Sequence, residues 1–339
     1  MKRSIFLLGL AAFAMTSCTQ EENTAGGTGN VNAISFGTFV GKATKGTPVT
    51  GIDFPVDGDF LVIGYNTSST LTAATAYPNF MRQTVTKTDA STYSYFPLRY
   101  WPSTGYVSFF AVFPAGVSTI TPAAVSSAIA TLPAVSYAVN TDPVKQADLM
   151  LASAVNKTSA DGTASFSFTH ALTKIGFTAK LAADYGANGT YIRITSISLK
   201  NVAGTGDFTA AEGGSWSQTT PTVFTSTFTL DYLKNLVDNG SVSTTTDKNM
   251  VLANSYLMMV PADYAASADA ALEVKYTITY ADGTTYDFTS NKLLKDLTVV
   301  AGKTWTSASA ITYKMTITLN AVSFSATTTD WSANSDVAL

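Results

Sequence analysis

Residues 93–113, YSYFPLRYWPSTGYVSFFAVF, carry nine aromatic side chains in twenty-one positions, and their reading decides the fold. In the middle, Trp101-Pro102-Ser103-Thr104-Gly105 is rich in turn residues and separates two strand-like runs, which predicts a hairpin. Side chains of a strand alternate between its faces. On the second run Val107, Phe109, Ala111 and Phe113 therefore share one face, and Tyr106, Ser108, Phe110 and Val112 share the other. The first face is continuously apolar and the second is mixed, as in a strand buried in a two-layer β core. The rings have two readings at this point. They pack a core, or Tyr93, Tyr95, Tyr100, Trp101 and Tyr106 form a stacking platform for a ligand such as a glycan.

Working outward, the same alternation recurs. Residues 34–40 read as a first strand, and 60–65 and 80–85 as further strands. So do 166–181, where apolar parity switches between His170 and Ile175 and calls for a bulge near residues 171–174. Residues 191–199, 222–230, 250–260, 272–280, 285–289, 297–300, 311–321 and 322–331 complete the series. Two short helices interrupt it. One starts at Pro122, and the other covers residues 230–237, where Leu230, Leu233, Leu236 and Val237 have helical spacing ahead of Asn239-Gly240. Many short strands with turn signals between them predict an all-β chain of β-sandwich architecture. The polar stretch 156–162 reads as a boundary between domains at 33–160 and 161–339.

Composition narrows function by exclusion. The chain has 339 residues, 46% of them hydrophobic and only 13% charged, with a formal net charge of −3. That is core enough for two ordinary domains or one large β domain and offers no basic footprint for nucleic acid. One cysteine, Cys18, and one histidine, His170, leave no disulfide framework, no Cys/His metal cluster and no Cys–His nucleophile pair. A serine triad would need His170, which lies in the β-patterned run Phe166-Ser167-Phe168-Thr169-His170-Ala171-Leu172, where a structural role is the simpler reading. Asp57, Asp161 and Asp282 each precede glycine, which is turn chemistry rather than paired-carboxylate chemistry. No catalytic residue, cofactor or metal site follows from these residues.

The N-terminus reads as a secretory leader. Lys2 and Arg3 precede a short apolar run at residues 5–14, and Met15-Thr16-Ser17-Cys18 ends it. The run is too short for a permanent span. The arrangement resembles a bacterial lipobox in which Cys18 is the lipidated first residue, so residues 1–18 form the leader. Residues 19–32 form a tether that begins with the acidic pair Glu21-Glu22, similar to a surface-export signal. Residues 41–48, GKATKGTP, read as an exposed loop open to proteases.

Several of these landmarks, in their order and spacing, resemble the fimbrillin family, the subunits of type V pili. They are the leader to Cys18, the first strand with its Lys-Ala-Thr-Lys loop, Leu98-Arg99-Tyr100-Trp101-Pro102 leading into Phe109-Phe110-Ala111-Val112-Phe113-Pro114, Asp148-Leu149-Met150-Leu151-Ala152, residues 166–175, and residues 301–331. The resemblance spans nearly the whole chain. It implies two transthyretin-like β-sandwich domains in tandem, export as an outer-membrane lipoprotein to the cell surface, and assembly into a fimbrium by strand exchange. The partners implied are other fimbrial subunits or further copies of this chain, the outer membrane through the lipid anchor, and a host or bacterial surface ligand. The displaced first strand would contain Ile34, Phe36 and Val40. The donor would come from residues 313–331, with Tyr313, Met315, Ile317 and Leu319 as its apolar face. Family stalk subunits are cut after an Arg, whereas here no Arg lies between the leader and Arg82. Cutting would follow Lys42 or Lys45, or be absent, as suits an anchor, an accessory subunit or a non-polymerising adhesin.

Overall fold

Alternating apolar residues around positions 60, 109 and 166 form three strands, and all three lie in one sheet. The computed structural model describes residues 32–40, 58–71, 79–117, 120–122, 134–140, 145–209, 215–217, 223–228, 247–250 and 256–331. The first sheet has seven strands: β1 (Ser35–Val40), β2 (Asp59–Thr67), β3 (Asn79–Lys87), β4 (Tyr93–Ser94), β5 (Tyr106–Phe113), β8 (Met150–Lys157) and β9 (Thr163–His170). Their spatial order is β1-β9-β8-β5-β2-β3-β4. β1 runs parallel to β9, and the other neighbours are antiparallel.

Residues 93–113 do not form a hairpin. β4 pairs with β3 at the far edge, while β5 lies between β2 and β8. The residues between them cross over to β1, where Tyr100 bridges Ala33. The sheet is thereby curled until its two ends meet. One face of β5 fills the interior of the curl: Val107, Phe109 and Ala111 pack with Phe60, Val62, Met81, Val85, Phe166 and Phe168. The mixed face is buried too. Phe110 packs with Ile63 and Tyr65, and Val112 joins the core of the second half. Ser108 is tolerated there because its hydroxyl accepts the Asn156 N–H at 2.9 Å.

Gly105 shows why the turn before β5 needs glycine. Its φ is +83°, and a Cβ placed there would lie 2.4 Å from the Thr67 carbonyl oxygen. Gly105→Ala is expected to cost about 2–3 kcal/mol, since both the conformation and the space oppose it. The midpoint of urea unfolding measures this.

The second half is a sandwich. One sheet has the order β15-β10-β19-β20, with a further strand, β16, on β10. Its strands are β10 (Thr173–Leu181), β15 (Lys248–Asn249), β16 (Leu257–Met259), β19 (Ser309–Ile317) and β20 (Val322–Asp330). The facing sheet has the order β14-β11-β17-β18, from β11 (Tyr191–Ala203), β14 (Val223–Phe228), β17 (Ala271–Thr279) and β18 (Thr285–Leu293). Ile175, Phe177, Tyr313 and Met315 from one sheet meet Ile192, Ile194, Val274, Tyr276 and Ile278 from the other in one core.

A third unit ties the halves together. β6 (Ile120–Pro122) and β7 (Ala134–Ala138) pair with β12 (Thr205–Thr209) and β13 (Ser215–Ser217) as β13-β12-β7-β6. Val135, Tyr137, Leu149 and Leu151 accordingly belong to the second core although they precede the expected boundary.

That boundary is displaced. Within 156–162, residues Ser159–Asp161 make a 3-10 turn joining β8 to β9, and both strands sit in the first sheet. The parity switch after His170 is not a bulge. The chain leaves the first sheet at β9 and enters the second at β10, so the crossing lies at residues 171–172. A change of sheet reverses which parity faces a core just as an inserted residue does. Around the expected strand 297–300 the chain instead makes 3-10 turns at Leu294–Asp296 and Val300–Gly302. Pro122 closes the short strand β6 rather than opening a helix, and the remainder of both expected helices lies outside the described residues.

Candidate functional site

β1 is held differently from every other strand of its sheet. On one side it runs parallel to β9, with Ser35 against Thr163 and Val40 against Phe168. On the other side the aromatic stretch clasps it by single hydrogen bonds. The Ile34 N–H donates to the Arg99 carbonyl at 2.8 Å, and the Trp101 N–H donates to the Asn32 carbonyl at 2.9 Å. The Tyr95 hydroxyl donates to the Ile34 carbonyl at 2.7 Å. The Tyr93 hydroxyl accepts the Thr38 N–H at 3.2 Å and bonds the Thr38 hydroxyl at 2.6 Å. Ser35 Oγ donates to the Gly162 carbonyl and lies 2.8 Å from Thr163 Oγ1.

The side chains beneath the clasp form an aromatic socket. The Phe36 ring stacks on Phe166 with centroids 5.7 Å apart and meets Tyr95 and Phe109 edge-on at 5.3 and 5.5 Å. Ile34 and Phe36 are both buried. Edge-on and offset contacts of this kind add to the area that the rings bury. Because β1 is short and one of its sides is held by scattered bonds rather than a regular ladder, taking it out would open a slot. The slot would be lined by Phe109, Phe166, Tyr95 and Trp101, with the backbone groups of β9 left unpaired.

The alternative platform is not assembled. Trp101 is only 6% exposed, meets Phe109 edge-on, and directs its Nε1–H to the Gly162 carbonyl. Tyr93 and Tyr95 spend their hydroxyls on β1. Tyr100 is 46% exposed, and Phe96, at 85%, is the most exposed large apolar residue among those described.

Tyr313, Met315 and Ile317 lie in β19, buried, with β10 on one side and β20 on the other. The Tyr313 hydroxyl donates to the Gly302 carbonyl and accepts the Trp305 Nε1–H. Burial pushes that hydroxyl's pKa up, offset in part by the Trp305 bond. Leu319 is half-buried in the turn after β19. The candidate donor region thus holds two unlike strands, an interior one and, in β20, an edge one. Cys18, Lys42 and Lys45 lie outside the described residues, as do the leader and nearly all of the tether.

His170 ends β9 against the second half. Its Nδ1 lies 3.0 Å from Asp148 Oδ1, and its ring stacks on the Trp331 indole at 4.2 Å with an interplanar angle of 4°. Nothing in the sequence around Trp331 signalled this contact, which joins residues 161 positions apart.

Asp161 and Asp282 serve their own turns. The Asp161 carboxyl sits below its ordinary range because it accepts the Thr158 N–H, helped by Lys157, and Asp282 does so through Thr284. A depressed carboxyl contributes stability above its unfolded pKa and loses it as pH falls through the folded one. Asp161→Asn is therefore expected to make the loss of stability below about pH 4 shallower, by well under 1 kcal/mol in all because the group is exposed. Urea titrations at pH 7 and pH 3 check this. Among the described residues no cluster of His, Cys, Asp and Glu could hold a metal, and no helix is long and apolar enough to cross a membrane.

The Fimbrillin-like family matches the chain over residues 43–331. This chain belongs to the fimbrillin-like family. Solved structures share its fold. A fimbrial protein from Bacteroides vulgatus is 17% identical, with a TM-score of 0.65 over 88% of this chain and 99% of that one. A candidate cell adhesion protein from Bacteroides uniformis is 18% identical, with a TM-score of 0.52 over 88% and 98%. A third, from Parabacteroides distasonis, is 11% identical, with a TM-score of 0.52 over 89% and 98%. No curated protein matches the chain. The fimbrillin-like family is one of structural and adhesion proteins, not enzymes.

Proposed function

We infer that this fimbrillin-like chain is a structural subunit of a surface fimbria, exported as a lipoprotein through Cys18 and assembled by exchange of its first strand. The observation that carries this reading is the mounting of β1. It is a six-residue strand, laid parallel along one neighbour and clasped on its other side by side-chain hydroxyls and single backbone bonds. Strand addition works on such a slot, because a donated strand restores the ladder and fills the side-chain pockets together. The transthyretin-like description of its sandwiches and the surface location belong to the same proposal. Cutting between β1 and β2, after Lys42 or Lys45, would commit the chain to the exchange.

A lock on β1 tests this. In a Cys18→Ser background, Ser35→Cys with Thr163→Cys places two thiols where the native oxygens lie 2.8 Å apart. After cutting within residues 41–57, the unlocked chain is expected to form oligomers and the disulfide-locked chain to remain monomeric by light scattering. Equal assembly of both would overturn exchange at β1. Deleting residues 313–339 is not a usable test, since it removes Tyr313, Met315 and Ile317 from the second core.

The exposure of Phe96 and Tyr100 supports a second reading, a surface adhesin that does not polymerise and engages a host or bacterial ligand at the rim of the clasp. A glycan array probed with the wild type and Tyr100→Ala would detect it.

A further inference from the structure

β1 is held unevenly along its length. At its start the Asn32 carbonyl accepts the Trp101 N–H, and Ala33 stands opposite Tyr100 in an isolated antiparallel bridge. Ile34 bonds the clasp through both its N–H and its carbonyl. Ser35 adds bonds to the Gly162 carbonyl and Thr163 Oγ1. Further on, the clasp reaches Thr38 through Tyr93. Among the described residues it gives no bond to Phe39 or Val40, which lie against Ser167 and Phe168 of β9. Gly37, between the two parts, has no side chain to pack, and a glycine inside a strand weakens it.

The clasp itself is a strap tied at both ends to parts of the chain other than β1. Tyr93 and Ser94 pair with Lys87 and Thr86 of β3, and the buried Gln83 side chain donates to the Pro97 carbonyl at 2.6 Å. At its other end the Trp101 indole N–H donates at 3.3 Å to the carbonyl of Gly162, just before β9. Between these ties the Tyr95 hydroxyl accepts the Arg99 N–H at 3.3 Å while donating to the Ile34 carbonyl. Burial raises the pKa of that hydroxyl, so it remains a donor at neutral pH.

We propose that β1 leaves its place in one direction, from Val40 toward Ile34, and that the clasp of residues 93–101 is the gate that must open for the last step. The proposal rests on the exchange reading above and adds to it an order and a control.

Local opening draws first on the least stable contacts, so a strand peels from the end with the fewest bonds. Val40 is also the end that leads into residues 41–57, where cutting would fall. A cut therefore frees the weakly held end and leaves the strongly held one engaged. An incoming strand of any origin can then start beside Phe168 and displace β1 position by position, which leaves few backbone groups unpaired at any moment. Until that displacement reaches Ile34, the clasp keeps the aromatic socket filled and the edge of β9 covered.

The test uses the full chain with Cys18→Ser and a specific protease site within residues 41–57, and follows amide hydrogen exchange resolved by residue. Cutting is expected to speed exchange at Phe39 and Val40 by about tenfold or more, and to leave Ile34 and Ser35 within about twofold of the uncut chain. The cut chain is then given a fluorescent peptide of residues 33–42, AISFGTFVGK, and the replacement of β1 is timed. Tyr95→Phe removes one clasp bond and keeps the ring. It is expected to speed replacement about fivefold, with exchange at Val40 and in β5 unchanged. A disulfide from Ala33→Cys with Tyr100→Cys uses an antiparallel pair whose neighbours carry the hydrogen bonds, which brings the two residues close enough to bridge. It is expected to block replacement until reduced, while Val40 exchanges as fast as in the unlocked cut chain. Protection lost first at Ile34, or evenly along β1, would overturn the direction. Replacement at the parent's rate in Tyr95→Phe, or through the closed disulfide, would overturn the gate. Either result leaves strand exchange standing. A cut chain that keeps β1 and takes up no peptide would overturn exchange at β1, and this gate with it.

Discussion

Phe36→Ala in the uncut chain is expected to lower stability by about 3–5 kcal/mol, the usual cost of truncating a buried aromatic. The ring touches three others, and no neighbour is free to collapse into its space. Phe109 and Phe166 project from β5 and β9, whose backbones are fixed from both sides, and Tyr95 is tied by its hydroxyl to the Ile34 carbonyl. A loss of that size is a large share of the 5–15 kcal/mol that holds an ordinary domain together. It is expected to appear first as detachment of β1. Amide hydrogen exchange at Ile34 and Thr38, which donate to the clasp, should rise well before exchange in β5 does. Denaturant midpoints give the magnitude, and exchange gives the location. If the amides of β1 and β5 lose protection together, β1 is an integral strand and not a separable one.

Trp331→Ala is expected to cost a similar amount, about 3–5 kcal/mol, for a different reason. Trp331 follows directly on β20 and is 1% exposed, its indole lying flat on His170 at the end of β9, while its backbone N–H donates to the Ala308 carbonyl. It therefore pins the last strand of the second half to the last strand of the first sheet. Truncation leaves a cavity beside the buried His170–Asp148 pair. Trp331→Phe keeps a ring over the imidazole and is expected to lose only about 1–2 kcal/mol. Urea midpoints of the two variants separate lost stacking from lost volume. An alanine variant within about 1 kcal/mol of the parent would mean that the halves do not depend on this stack.

Side-chain alternation was enough to read the strands themselves. The residues that face the first core, Phe60, Val107, Phe109, Phe166 and Phe168, stand at the parity that the sequence implies, because a pleated strand allows only two directions. The turns at Asp161 and Asp282 and the structural place of His170 were legible for the same local reasons. The partners of the strands were not. The aromatic stretch looked like a hairpin because a turn lies between two apolar runs, yet β4 and β5 face different neighbours. The run 166–181 looked like one bulged strand because a change of sheet and an inserted residue leave the same trace in parity.

For residues 93–113 in particular, the sequence alone determined that β5 is a buried strand and that the run before it is aromatic and turn-rich. Only the tertiary structure decided that this earlier run wraps over β1, with Tyr93 and Tyr95 holding it by their hydroxyls and Trp101 sealed beneath. The family could be read from the order of local motifs along the chain. The clasp could not, because it joins residues 55 and 61 positions apart. Contacts at that separation depend on how the whole sheet curls, and no local periodicity records it.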